Sequence, residues 1–85
     1  MEIGTSELDA LIREEKRLTC VESHSEAWAE SISAGIEPEI IAEAALSTAV
    51  EEYLRSGSDA SALGMIDRVR EKIVNGEFFA EKIRH

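Results

Sequence analysis

Cys20 and His24 stand four residues apart in the stretch TCVESHS, one turn apart if the segment is helical. An i, i+4 pair of this kind can present two ligands to one metal ion. A closed site needs a third and a fourth ligand. On a helical wheel Glu22 and Glu26 point away from the pair, and the sequence has no second Cys/His cluster. No metal is therefore expected within one chain. The remaining metal reading needs two Cys20/His24 pairs meeting across a two-fold axis. Thiol catalysis meets a separate obstacle, because a reactive thiolate needs an electropositive setting and residues 18–54 contain no lysine or arginine. Relative to Trp28, His24 lies about 40° and Cys20 about 80° round the wheel, at about 100° per residue. That is the margin of an apolar stripe, and packing is the expected role of both residues.

The acidic residues carry a stronger signal. Eighteen acids face nine bases, for a net charge of −9. Residues 18–54 hold eight acids: Glu22, Glu26, Glu30, Glu37, Glu39, Glu43, Glu51 and Glu52. Glu22, Glu26 and Glu30 form an i, i+4, i+8 column that disfavours its own helix by ~0.2–0.5 kcal/mol per neighbouring pair. Such a column either solvates the chain or docks a basic partner, with Glu37, Glu39 and Glu43 extending the surface. Direct nucleic-acid binding is not expected, because phosphate neutralisation needs clustered Lys/Arg. No pair among eighteen carboxylates stands out as an acid/base couple. The chain has no G-x-G-x-x-G or P-loop pattern and no D-x-D-x-D-G calcium loop. The reading is non-enzymatic and without a cofactor.

The elements that position these residues are helical. Period-2 alternation is absent, and most glycines fall where helices would stop. Thr5 or Ser6 is placed to cap a first helix with Leu8, Leu11 and Ile12 on one face. The spacing Leu18, Val21, Ser25, Trp28, Ile32 continues that face. Residues 6–34 thus form either one long helix or two with a kink near 19–24, where β-branched residues and serines weaken the helix. Gly35 then supplies a left-handed stop. In GIEPEII, Glu37 caps and Pro38 opens a helix running to Arg55. Ala42, Ala45 and Ala49 make a small-residue row on that helix. Ser58 or Asp59 caps a last long helix with Ala62, Ile66, Val69 and Ile73 on one face, ended by Asn75-Gly76. A short helical tail follows in which Phe78, Phe79 and Ile83 are expected to dock.

The expected fold is all-α: a small bundle of about four helices forming a single domain over residues 1–85. Eleven alanines and only four aromatics (Trp28, Tyr53, Phe78, Phe79) make a thin core for a chain of this length. Subunit association supplies missing burial, so a homodimer is expected, with Ala42, Ala45, Ala49, Phe78 and Phe79 at the interface. No apolar run approaches the ~20 residues a membrane span requires, and the interspersed acids of the last helix do not suit a membrane surface. The chain reads as soluble and cytoplasmic. Its expected function is interaction with a basic protein through the acidic face. Two alternatives stand beside it: a nucleic-acid mimic that inhibits a DNA- or RNA-binding enzyme, and a metal-binding or thiol enzyme using Cys20 and His24 at a subunit interface.

Overall fold

A computed structural model describes residues 4–79. Helix α1 spans Thr5–Ser33, α2 spans Pro38–Tyr53 and α3 spans Asp59–Val74, and a further helical turn begins at residue 77. No strand occurs among the described residues, so the fold is all-α as the periodicity implies. The chain divides into two compact units, residues 1–43 and 44–85, with the boundary inside α2. Ile83 lies outside the described residues.

The first unit settles the one-helix-or-two question: α1 is continuous over 29 residues, ~44 Å at 1.5 Å per residue. The polar side chains that could have competed with its backbone instead bond back along the same helix. The Thr19 hydroxyl donates to the Glu15 carbonyl at 3.0 Å and the Ser31 hydroxyl to the Ala27 carbonyl at 3.0 Å. Bonds of this i→i−4 type keep the hydroxyls on the helix, and α1 runs through TCVESHS without a break despite that stretch's weak propensity. Neither Thr5 nor Ser6 caps the helix. Gly4 holds the N-cap position without a side-chain bond, because the helix starts one residue earlier than the hydroxyls would place it.

Gly35 ends α1 as expected. Its φ of 84° lets the Gly35 N–H reach the Ile32 carbonyl (3.0 Å) and the Ile36 N–H reach the Ser31 carbonyl (3.2 Å). That pair of bonds is a Schellman motif. Glu37 then accepts backbone bonds from the Ile40 and Ile41 N–H groups, which starts α2 at Pro38.

In the second unit α2 ends at Tyr53, two residues short of Arg55, as the Gly57 N–H turns back onto the Tyr53 carbonyl at 2.8 Å. Residues 54–58 connect to α3, where the Ser58 hydroxyl accepts from the Ser61 N–H at 3.1 Å and caps the helix. The Asn75 N–H closes α3 on the Glu71 carbonyl. Ala62, at 5% exposure, is the buried side chain of this unit, and Ile41, at 9%, that of the first.

No side chain crowds the space a Cβ would fill at Gly35, so substitution there is opposed by backbone conformation alone. Gly35→Ala is expected to lower unfolding free energy by about 1 kcal/mol, the cost of a left-handed non-glycine residue. Urea denaturation followed by circular dichroism measures it, and an unchanged midpoint would contradict the Schellman assignment.

Candidate functional site

Three surfaces bear on function, and the acidic one is the first. Glu22, Glu26 and Glu30 all lie on α1 and are exposed. Glu37, just before α2, and Glu39 and Glu43 on α2 are exposed as well, and all six belong to the first unit. Ion pairs among the described residues join Arg17 Nη2 to Glu14 Oε1 (2.7 Å) and Arg55 Nε to Glu52 Oε2 (3.4 Å). None involves the six glutamates. Their charge is left to solvent or to a partner because the nearest cation before the column is Arg17 and the next after it is Arg55.

Arg17 engages Glu14 twice, its Nε donating to Oε2 at 3.0 Å and its Nη2 to Oε1 at 2.7 Å. This bidentate bond, with the guanidinium charge, holds the Glu14 carboxyl below the usual carboxylate range.

Cys20 and His24 occupy the next turns. The His24 Nδ1 lies 2.7 Å from the Cys20 carbonyl oxygen. A carbonyl only accepts, so in this bond Nδ1–H is the donor. Cys20 is exposed. No group of three or more His, Cys, Asp or Glu side chains that could hold a metal occurs among the described residues. The wheel position of His24 agrees with the structure, since Val21, His24, Ser25 and Trp28 line one shallow hollow on α1. That stripe is uncovered, however: Trp28 is 40% exposed and α1 contains no buried residue. Packing at this margin thus has no partner within the helix itself.

The third surface is a groove of about 440 Å³ along the second unit, formed by Leu46, Ala49, Val50 and Tyr53 of α2 and by Ala62, Met65, Ile66, Val69, Arg70, Ile73 and Val74 of α3. The apolar face read for the last helix, Ala62, Ile66, Val69 and Ile73, lies in it entire. The alanine row does not: Ala49 lines the groove, whereas Ala42 is half-buried in the first unit and Ala45 is exposed. Phe78 and Phe79 are exposed at the start of the last helical turn. Met65 was not legible in the sequence as part of the α3 face, nor was the meeting of Leu46, Val50 and Tyr53 with that face across two helices. At one end Tyr53 lays its ring over Gly57, where any Cβ would overlap it, and the glycine thereby lets the ring close that end.

No helix among the described residues is long and apolar enough to cross a membrane. Comparison with protein-family models, curated proteins and solved structures finds no match.

Two outcomes follow from these geometries. A depressed carboxyl contributes stability above its unfolded pKa and loses it as pH falls through the folded value. Arg17→Gln should therefore move the Glu14 side-chain NMR titration midpoint upward while other glutamates keep theirs; an unmoved midpoint would refute the bidentate bond. Zn²⁺ or EDTA should leave the melting temperature unchanged, because two ligands from one helix turn do not close a site; a zinc-dependent rise would restore the intersubunit metal reading.

Proposed function

We propose that this protein is a non-catalytic interaction module that docks a basic protein partner on the acidic surface of its first unit. The carrying observation is that Glu22, Glu26 and Glu30 stand exposed in one column of an unbroken helix and take part in no ion pair among the described residues. Like charges at this spacing weaken the helix that bears them, and a partner that supplies lysines or arginines removes that repulsion on binding. The unbroken α1 spaces the three carboxylates four residues apart, ~6 Å of axial rise. Glu37, Glu39 and Glu43 widen the field and steer encounter through its long-range potential. Contacts of this exposed kind give rate and selectivity more than affinity, and they weaken with salt. Apolar contacts outside the column must then hold the complex, and the uncovered Trp28 stripe on the same helix is available for that.

Charge reversal tests the reading. The tagged triple variant Glu22→Lys/Glu26→Lys/Glu30→Lys is expected to lose, in quantitative mass spectrometry, the basic proteins the wild-type chain captures from its native lysate. A control that reverses Glu51, Glu52 and Glu71 should retain them. Equal capture by both variants would sink the docking face.

A further inference from the structure

We propose that the α2–α3 groove seats a second copy of this chain, two helical hairpins meeting face to face across a two-fold axis to form a four-helix interface.

The burial deficit is the first ground. Within the groove Leu46 is 63% and Ile73 65% exposed, although both line its apolar surface.

Charge says which surface can meet its own image. Residues 1–43 carry eleven acids and three bases, so two copies of that unit repel each other. Residues 44–85 carry seven acids and six bases. No carboxylate lines the groove, and its single ionic side chain is Arg70. Arg70 lies at the edge of the α3 face, about 80° round the wheel from Ala62 at about 100° per residue. There its head stays in water while its stem adds apolar cover. A self-complementary contact needs this absence of like charge at its centre.

Geometry favours a hairpin over a small molecule. The groove runs along residues 46–53 of α2 and 62–74 of α3, so the same stretch of a second copy can lay ridges into grooves over that length. A ligand pocket of this volume would add convergent polar groups to orient its guest. Here only the Tyr53 hydroxyl and Arg70 are on hand.

Sedimentation equilibrium of the full chain across the micromolar range should return twice the monomer mass. Val69→Glu should weaken association on the order of a hundredfold or more, because it buries an unpaired carboxylate in the contact. Since that variant may lose its fold with its partner, cysteine crosslinking provides the independent measurement. In a Cys20→Ser background, Val69→Cys should form an intermolecular disulfide under mild oxidation, and Glu71→Cys, on the far side of α3, should not. A monomer at every concentration, whether the groove is then filled by α1 or by an apolar ligand, would overturn the proposal. So would a dimer that crosslinks equally at both positions. Both variants keep Glu22, Glu26 and Glu30, so partner capture and self-association fail or succeed separately.

Discussion

The apolar seam along which α2 and α3 meet is the interaction on which the second unit depends. Ala62 sits in it almost fully covered, and the residues one, two and three turns on, Ile66, Val69 and Ile73, continue the same face. The seam is formed by two helices, and Leu46 and Ile73 beside it remain exposed. The groove follows directly, since two cylinders enclose a valley and not a core. Local devices then hold the pair in place. Ser58 caps α3, the Gly57 N–H turns back onto Tyr53, and the Tyr53 ring lies over the glycine where a larger residue would collide.

The first unit is built on a different balance. Its long helix is kept by its own backbone ladder and ended by the Schellman turn at Gly35. It also carries most of the charge deficit. Residues 1–43 hold eleven acids against three bases, whereas residues 44–85 hold seven against six, so the two units differ in the field they present to solvent.

Helix positions were largely legible from residue chemistry. Pro38 at the first position of α2, Ser58 before α3 and Gly35 after α1 act through their own backbone and side-chain geometry, which is local and survives any tertiary context. The end of α2 was less so. Arg55 belongs to the turn because Gly57 bonds to the Tyr53 carbonyl and draws the chain out of the helix earlier, an event decided by the connection and not by propensity. The start of α1 at Gly4 likewise bypassed two good capping residues.

Composition, period and spacing by themselves determined the all-α class, the stop of α1 at Gly35, and the concentration of acid between residues 18 and 54. These are properties of neighbours along the chain, within a turn or two of one another. The tertiary structure decided that TCVESHS is a continuous helix, that Ala49 and not the whole alanine row reaches the groove, and that Leu46 and Val50 share a surface with Met65 and Val69. The reason is physical. A wheel reports the direction of a side chain from its own axis, but a shared surface requires a second axis beside it, set by the connection and by the one small residue over which the helices close.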